Sequence, residues 1–293
     1  MTRPLVMGIV NVTPDSFSDG GLFADTERAL AHARQLLADG ADILDIGGES
    51  TRPGATRPLV SEELDRVVPV ISRLASEGAV VSVDTMRAAV AAAALDAGAT
   101  IVNDVSGGLA DPEILDVVAA SAATYVAMHW RAHAESMTAF TDYAPYGVVE
   151  GVCRELTQRL DALAAAGVDL DRVYLDPGLG FAKTAEQNWQ LLAGLSTLDA
   201  LGRPLLVGAS RKSFLGRVLE DDRGPRPVGE REFAHAALVA LLADRGWPAS
   251  GSTTCGRPAT RWPWSMRWRR PTRPGRRGAV PDRRGSLTVR AAG

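Results

Sequence analysis

Short apolar runs and longer amphipathic stretches alternate along most of the chain. The apolar runs, among them LVMGIV, DILDI and TYVAM, are not interrupted by regular polar positions, whereas the stretches between them carry apolar residues at helical spacing. Seven such pairs occur at intervals of about 30 residues, which favours a parallel sheet covered by helices. The pattern predicts helices over residues 26–39, 61–77, 87–97, 112–120, 147–166, 185–201 and 211–245.

Polar side chains lie at or just after the carboxyl end of nearly every predicted strand. Each of them alone could cap the helix that follows. Their repetition instead favours a closed barrel over an open doubly wound sheet, because barrel active sites are built at this face. We therefore predict an α/β protein with a (β/α)8 TIM-barrel fold, whose strand-end residues are Asn11, Asp45, Asp84, Asn103, Asp104, His129, Asp176 and Ser210.

Charge is distributed unevenly between the body of the chain and its last segment. The 293 residues carry a net charge of -3, but residues 247–293 contain 11 arginines, no lysine and one acidic residue, Asp282. The segment is therefore +10 and the preceding residues are -13. An acidic body argues against nucleic acid as a partner.

Neither the first residues nor the two cysteines indicate export or metal binding. The start, MTRPLVMGIVNVTP, lacks a basic stretch followed by an apolar segment, and no run approaches the about 20 apolar residues that span a bilayer. We expect a cytoplasmic protein without a membrane partner. Cys153 and Cys255 show no metal-ligand spacing, and Cys153 is expected to be a small residue of the protein core, located on a helix.

Six motifs fall at the predicted strand ends in a fixed order. They are MGIVNVTPDSFSDGG, IGGESTRPGA, SVDTMR, IVNDVSGG, LDPGLGFAK and LVGASRKSFLG. In kind, order and spacing, from about Val6 to Leu242, they resemble the dihydropteroate synthases, pterin-binding barrel enzymes of folate biosynthesis and sulfonamide targets. The resemblance implies a transferase that joins a dihydropterin pyrophosphate to p-aminobenzoate and releases pyrophosphate. It also implies Mg²⁺ as cofactor and a homodimer.

The resemblance assigns a pocket for the pterin ring and its pyrophosphate. Asp176 would accept two N–H bonds from the pyrimidine edge, Asp84 and Asn103 would read the remaining ring nitrogens, and Lys212 would donate to the carbonyl. Asp84, Asp176 and Lys212 are thus the expected catalytic residues. The other residues of this expected site are Thr51, Met128 and Phe181.

The resemblance further implies how the reaction proceeds. Asn11 would supply the protein's ligand to Mg²⁺, which meets the charge on the departing pyrophosphate. Dihydropterin is electron-rich, so a dissociative, SN1-like path is expected, with Asp84 and Asp176 stabilising positive charge on the ring. The neutral aniline nitrogen of p-aminobenzoate needs no strong base.

The carboxylate of p-aminobenzoate is expected at the start of the helix that follows Ser210. Unpaired backbone N–H groups there would favour an anion. The less favoured alternative is that Arg211 and Lys212 are solvated charges at the helix start, and Lys183 shares that ambiguity. The polar loop after Asn11, which contains Phe17 and is expected to act as a lid, and the loop that contains Thr51 would enclose the ring. The residues expected around p-aminobenzoate are Pro14, Phe17, Thr51, Pro53, Arg211, Lys212 and Ser213.

The resemblance ends after Leu242. Family members continue with an eighth strand, Arg-Val-His-Asp-Val, whose Arg and His hold the pyrophosphate, but this chain has six prolines and four tryptophans within residues 247–293. Codons for Ala249 to Gly256, read one frame over, permit Val-Arg-Val-His-Asp-Val-Arg. The leading hypothesis is a frameshift, giving a barrel domain at 1–246 and a disordered tail at 247–293.

Three other functions stay open. The chain could be a non-catalytic or impaired pterin-binding homologue, because the Arg-x-His anion site is missing. It could be a folate-binding barrel of the methyltransferase type, although the Ser-Arg-Lys-Ser helix start and the Asn11 loop favour the synthase. The tail could bind RNA or a membrane surface, against which its lack of lysine and its recoverable second frame both weigh.

Overall fold

The computed structural model describes residues 4–12, 21–49, 57–133, 136–244 and 288–290. Its strands form one parallel sheet in the order β6-β5-β4-β3-β2-β1-β7. Strands β1 to β6 make up a curled, barrel-like half in chain order, as the sequence pattern predicts. The strands are β1 (Leu5–Asn11), β2 (Ile43–Gly47), β3 (Val81–Asp84), β4 (Ile101–Asp104), β5 (Thr124–Met128), β6 (Val173–Asp176) and β7 (Thr288–Arg290).

Helices follow the strands and cover the outside of the sheet. The helices are α1 (Gly21–Ala38), α2 (Val60–Ser76), α3 (Ala88–Asp96), α4 (Glu113–Ala119), α5 (Gly147–Ala165), α6 (Ala185–Ala193), α7 (Leu195–Asp199), α8 (Ser213–Val218) and α9 (Glu232–Asp244). No helix in the described ranges is long and apolar enough to cross a membrane. Cys153 is buried within α5, which confirms its predicted place.

Side chains alternate between the two faces of each strand and form two apolar layers. Outward residues such as Leu44, Val83 and Val102 pack under the helices in the main core. Inward residues form a second, smaller cluster inside the curl. Because successive strand side chains point to opposite faces, this parity decides which strand-end residues enter the curl. The inward apolar cluster contains Met7, Ile9, Ile43, Ile101, Val126 and Leu206.

The predicted seventh strand, PLLVG, lies beside β6 but forms only a short contact with it. Leu205 makes a parallel bridge to Leu175. The Leu175 amide donates to the Pro204 carbonyl over 2.9 Å, and the Leu206 amide donates to Leu175 over 2.8 Å. The chain order of the barrel therefore continues past β6, although the segment is not a full strand.

Two predicted helices are each divided in the structure, so those predictions were wrong in extent. The stretch 185–201 breaks at Gly194, where a Cβ would lie 2.7 Å from a Val149 methyl group. The stretch 211–245 forms α8 and α9, separated by a segment containing Gly224, Pro225 and Pro227. Proline removes a helical hydrogen bond and clashes with the preceding turn, which explains the second break.

The short strand β7 lies within the predicted tail. It pairs in parallel with β1, with Leu5 opposite Thr288 and Met7 opposite Arg290. That edge of β1 is where an eighth barrel strand would pair. The remainder of 245–293 lies outside the described residues, so the domain boundary at 246 and the frameshift stay predictions.

Candidate active site at the carboxyl ends of the strands

Inward-facing polar residues meet at the carboxyl ends of β1 to β4. Asn11 lies opposite Gly47, Gly47 opposite Asp84, and Asp84 opposite Asn103, so the four residues form one row across neighbouring strands. Asp84 is 7% and Asn103 is 1% exposed. A row of buried hydrogen-bonding groups at this face is the arrangement expected of a ligand pocket in a barrel.

Asn103 is held by a carboxylate two strands away. Its Nδ2 atom donates to Oδ2 of Asp45 over 2.8 Å, while its Oδ1 atom has no hydrogen-bond partner among the residues that the structure describes. Asp45 was predicted at a strand end but lies in the middle of β2, deeper in the curl. Its position makes it a support for Asn103.

Gly47 leaves space between the side-chain oxygen atoms of Asp84 and Asn11. A Cβ at this position would lie 3.4 Å from Oδ2 of Asp84 and 3.6 Å from Oδ1 of Asn11. Both oxygens therefore border the same small volume. A side chain on residue 47 would fill the gap between the amide and the carboxylate.

Asp176 ends β6 with its carboxylate almost fully buried. Burial raises the pKa of Asp176 to about 6, against the opposing effects of the Gly178 amide, Lys212 and Lys183. The Gly178 amide donates to Asp176 Oδ1 over 2.7 Å. A carboxylate in this setting gains strongly from further N–H donors supplied by a ligand.

Lys212 lies across the pocket, immediately before α8. Its Nζ atom is 4.1 Å from the centroid of the Phe181 ring, a cation–π distance. Burial lowers the pKa of Lys212 to about 8, although Asp176 opposes this shift. Gly180, with a φ of +79°, allows the close approach, because a Cβ there would lie 2.8 Å from Cδ of Lys212.

Arg211 and Ser213, on either side of Lys212, differ in their surroundings. Arg211 has a left-handed φ of 59°, and its carbonyl accepts a hydrogen bond from Arg231 over 2.7 Å. The Arg211 guanidinium is close enough to α1 to help lower the pKa of His32, although burial is the main cause of that shift. Ser213 is exposed and begins α8, which has only six residues.

Met128 and Phe181 contribute an apolar wall. Met128 ends β5, is 1% exposed and clusters with Met86 and Val105. Phe181 is partly buried and packs against this cluster. Of the remaining predicted site residues, Pro14, Phe17, Thr51 and Pro53 lie outside the described residues.

Asp104 is a strand-end residue that does not reach the pocket. It faces outward, where its carboxylate accepts hydrogen bonds from Tyr125, from the Gly108 amide, and from both the amide and the hydroxyl of Ser106, each at 2.7 Å. These four bonds fix the turn after Asn103. Strand parity distinguishes the two neighbours, since Asn103 faces inward and Asp104 faces outward.

A partly buried network that the sequence motifs did not indicate adjoins Asp176, whose carbonyl accepts from the His129 amide. His129 contacts Lys183 on one side and Glu155 on the other, with both distances 3.0 Å. Arg131 in turn binds Glu155. The strand-end position of His129 was the only signal in the sequence, because its partners come from a distant helix and from the loop after β6.

Comparison with known proteins agrees with this geometry. Residues 7–249 match the family described as pterin binding enzyme. The Mycobacterium leprae dihydropteroate synthase is 51% identical over 245 residues, which cover 82% of this chain and 85% of the relative. A solved Xanthomonas albilineans dihydropteroate synthase with 4-aminobenzoic acid has 45% identity and a TM-score of 0.75, covering 83% of this chain and 85% of its own.

A second Xanthomonas albilineans structure, in complex with 7,8-dihydropteroate, has 43% identity and a TM-score of 0.72 at the same coverage. The chain belongs to the pterin-binding enzyme family and, within it, to the dihydropteroate synthases.

Proposed function

We propose that the chain condenses 6-hydroxymethyl-7,8-dihydropterin pyrophosphate with p-aminobenzoate, giving 7,8-dihydropteroate and pyrophosphate. The observation that carries the proposal is the inward convergence of Asp84, Asn103 and Asp176 beside Lys212. The similar Xanthomonas albilineans enzyme, solved with 4-aminobenzoic acid and with 7,8-dihydropteroate, supports the choice of substrates.

Recognition of the pterin ring follows from the hydrogen-bonding capacity of these groups. The Asp176 carboxylate accepts two N–H bonds from the 2-amino pyrimidine edge, and the Oδ1 atom of Asn103 offers a second buried acceptor. Lys212 donates to the ring carbonyl. A ring that lacks these groups leaves buried polar atoms unpaired, so the pocket discriminates strongly against it.

Met128 and Phe181 pack on the faces of the ring. The Met128 side chain supplies a polarisable apolar surface, and the Phe181 ring is already aligned by Lys212. When positive charge develops on the pterin as its carbon–oxygen bond breaks, the Asp84 and Asp176 carboxylates stabilise that charge. This favours a dissociative path over direct displacement.

Asn11 and Asp84 can hold Mg²⁺ provided that phosphate oxygens and water complete its coordination shell. No group of three His, Cys, Asp or Glu side chains in the described ranges could hold a metal, but Asn11 Oδ1 and Asp84 Oδ2 border the same volume at Gly47. Hard oxygen donors of this kind suit Mg²⁺, which usually takes few protein ligands and completes its shell with phosphate oxygens and water. Bound Mg²⁺ would offset the charge of the departing pyrophosphate.

The second substrate is placed next to Lys212. The exposed Ser213 hydroxyl and the backbone at the start of α8 face the carboxylate of p-aminobenzoate, and Arg211 adds positive potential. Pro14, Phe17, Thr51 and Pro53 stay predicted contacts. The aniline nitrogen attacks as the neutral amine and loses its proton after the bond forms, so no strong base is required.

We also propose that two copies of the chain pair through α9. Phe233 is 90% and Leu241 is 64% exposed on one face of this helix, with Ala237 between them. Exposed apolar patches of this kind mark interaction surfaces. Light scattering should give twice the chain mass, and a Phe233→Glu, Leu241→Glu variant should give one chain mass. A monomeric unsubstituted chain would rule the pairing out.

A second candidate function is pterin binding without turnover. The last histidine of the chain is His235, so no Arg-x-His sequence follows α9 to hold the pyrophosphate. Charge-assisted hydrogen bonds contribute about 1.5–3 kcal/mol each, and losing two of them weakens leaving-group stabilisation. This candidate differs from the first in product formation and not in pterin affinity.

Magnesium-dependent pyrophosphate release tests the two candidates. The 293-residue chain is compared with a version in which the second reading frame is restored after residue 248, each supplied with both substrates. Release by both versions supports the synthase for the chain as written. Release by the restored version alone assigns the written chain to pterin binding, and release by neither version overturns the proposed activity.

A further inference from the structure

Lysine is nearly absent from this chain. Of its 32 lysine and arginine residues only two are lysines, Lys183 and Lys212. Both influence the pKa of Asp176, so both lie near the pterin pocket. A lysine ammonium is a compact point charge with three directed donors, whereas an arginine guanidinium is a planar fork. Lys212 has a place in the proposed reaction, but Lys183 does not.

Lys183 uses all of its donors on the protein. Its Nζ atom lies 3.0 Å from Nδ1 of His129, 3.0 Å from the Gly178 carbonyl and 3.1 Å from the Phe181 carbonyl. Burial lowers the pKa of Lys183 to about 7, and its protonated form has three N–H donors for these three acceptors. In this arrangement no donor is left for a substrate.

The contacts with Glu155 and Lys183 fix the state of His129. Its Nε2 lies 3.0 Å from Oε2 of Glu155, a carboxylate that can only accept, so the neutral ring carries its proton on Nε2 and Nδ1 accepts from Lys183. Burial, followed by the charge of Lys183, lowers the pKa of His129 to about 4, so the ring stays neutral near pH 7.

Glu155 ends this chain of hydrogen bonds on α5. Burial alone would raise the pKa of Glu155, but hydrogen bonds from His129 and Arg131 outweigh it and lower the pKa to about 2. Arg131 also donates to the carbonyls of Phe140 and Asp142. The network therefore connects Lys183 to α5 and to the loop before it.

The segment that Lys183 holds is conformationally strained. Gly178 and Gly180 have positive φ, and Ala182, which has a Cβ, has a φ of 47°. A non-glycine residue in this region persists only where surrounding contacts determine its conformation. The Gly178 amide donates to Asp176 Oδ1, and the His129 amide donates to the Asp176 carbonyl over 2.8 Å. Two of the three residues that Lys183 contacts, Gly178 and His129, thus hydrogen-bond Asp176 through their backbone amides.

We propose that Lys183 positions the pterin pocket without contacting either substrate. By holding the carbonyls of Gly178 and Phe181 against His129, it fixes the loop that presents the Asp176 carboxylate and the Phe181 ring to the pterin. The inference rests on the proposed function for its ligand, while the Lys183–His129 contact itself is independent of any ligand.

Substitution of Lys183 tests the positioning role. Lys183→Met keeps the length of the side chain and removes its donors, and it should weaken binding of 6-hydroxymethyl-7,8-dihydropterin pyrophosphate about 100-fold, the scale of a small misplacement of binding groups. The KM for p-aminobenzoate at saturating pterin should not change. Lys183→Arg should not restore affinity, because a planar fork cannot satisfy the three acceptors. Arg154→Met, at an exposed arginine of α5, is the matched control and should bind as the unsubstituted chain.

The pH dependence of pterin binding separates a positioning role of Lys183 from a simple loss of packing, because lost packing alone would not change it. Lys183 and Lys212 both favour the ionised form of Asp176. In Lys183→Met, where Lys212 is still present, the pH below which pterin affinity falls should therefore be higher than in the unsubstituted chain. Unchanged pterin affinity in Lys183→Met, or a raised KM for p-aminobenzoate alone, would overturn the proposal.

Two NMR spectra of the unsubstituted chain test the proposal even if Lys183→Met does not fold. In the first, of chain labelled with ¹⁵N-histidine, His129 should be neutral with Nδ1 unprotonated, whether or not pterin binds. A tautomer with the proton on Nδ1 would rule out the contact with Lys183. In chain labelled with ¹³C at the lysine ε-carbon, only two resonances arise. Pterin pyrophosphate should shift that of Lys212 strongly and that of Lys183 weakly. Equal shifts of the two resonances would show that Lys183 contacts the substrate, which would overturn the positioning role. If neither resonance shifts and no pterin binds, the proposed function is overturned, and the histidine spectrum alone then tests the Lys183–His129 contact.

Discussion

The Nδ2 atom of Asn103 donates a 2.8 Å hydrogen bond to Oδ2 of Asp45, across the intervening strand β3. This bond sets the orientation of the Asn103 amide, because the carboxylate accepts only from the NH₂ end. The carbonyl end, Oδ1, is left as a buried acceptor. Asp45 thus decides which kind of group Asn103 can recognise.

Asp45→Asn should weaken pterin binding about tenfold, equivalent to about 1.4 kcal/mol, since the new amide can accept or donate and no longer fixes the Asn103 orientation. Titration calorimetry with the pterin pyrophosphate measures the effect. Asp199→Asn, at an exposed position of α7, is the control. Equal affinity in Asp45→Asn and the unsubstituted chain would show that Asn103 is oriented by something else.

Pterin affinity should fall as the pH drops below about 6. Burial raises the pKa of Asp176 to about 6, and only the ionised carboxylate accepts two N–H bonds. Burial lowers the pKa of His129 to about 4 and that of Lys183 to about 7, so below pH 6 His129 is still neutral and Lys183 is already protonated. Calorimetry across this range should show the acid limb in the unsubstituted chain. A flat profile would contradict the role given to Asp176.

The same shift has an opposite effect on the ligand-free fold. A group whose folded pKa is raised favours folding most at low pH, so this contribution is present below the ordinary pKa of 3.8 and is lost as the pH rises through about 6. Asp176→Asn should remove this dependence from urea unfolding curves. A variant that shows the same pH dependence as the unsubstituted chain would assign the titration to another group.

Gly178→Ala should destabilise the protein more than Gly202→Ala. Both glycines have positive φ, but a Cβ on Gly178 would collide with the His129 carbonyl, while nothing lies within 4 Å at Gly202. Backbone strain alone costs about 1–3 kcal/mol, and the collision adds to it at Gly178. Urea unfolding of the two variants measures the difference, and equal losses would indicate that the collision is relieved by movement of the loop.

Arg87→Met should lower the free energy of unfolding by about 3–5 kcal/mol, because it leaves the buried Glu63 carboxylate without its cation. Arg87 Nη1 lies 3.0 Å from Glu63 Oε2, and Arg87 Nη2 donates to the Pro58 carbonyl over 2.6 Å. Burial raises the pKa of Glu63, and Arg87 opposes that shift. The loss should therefore shrink at mildly acidic pH, where Glu63 takes up a proton.

Urea unfolding at neutral and at mildly acidic pH tests the Arg87 prediction. The exposed Arg154–Glu150 pair offers the control, since Arg154→Met should change the unfolding free energy by less than about 0.5 kcal/mol, as is typical of surface substitutions. A loss in Arg87→Met that is equally large at both pH values would mean that the carboxylate of Glu63 is not the destabilising charge.

The strands and the pocket were predictable because both depend on local pattern. Uninterrupted apolar runs identified six strands, and polar strand ends identified Asp84, Asn103 and Asp176, whose burial follows from their place on the sheet. Parity along β4 could also have separated Asn103 from Asp104, since adjacent strand residues face opposite sides. The break between α8 and α9 was visible as well in Pro225 and Pro227.

The supporting network was not predictable in the same way. Lys183 and Glu155 come together with His129 only because β5, α5 and the loop after β6 pack side by side, and no short motif contains all three. Asp45 supports Asn103 over 58 positions of sequence. Such long-range pairs are fixed by the curl of the sheet and not by periodicity.

Pterin recognition is measured by titrating the purified 293-residue chain with 6-hydroxymethyl-7,8-dihydropterin pyrophosphate and Mg²⁺, because Asp84, Asn103, Asp176 and Lys212 all lie before the tail. We expect saturable binding that is lost in Asp176→Asn and retained in Asp199→Asn. Absence of saturable binding by the folded chain, or equal affinity in Asp176→Asn, would contradict this expectation.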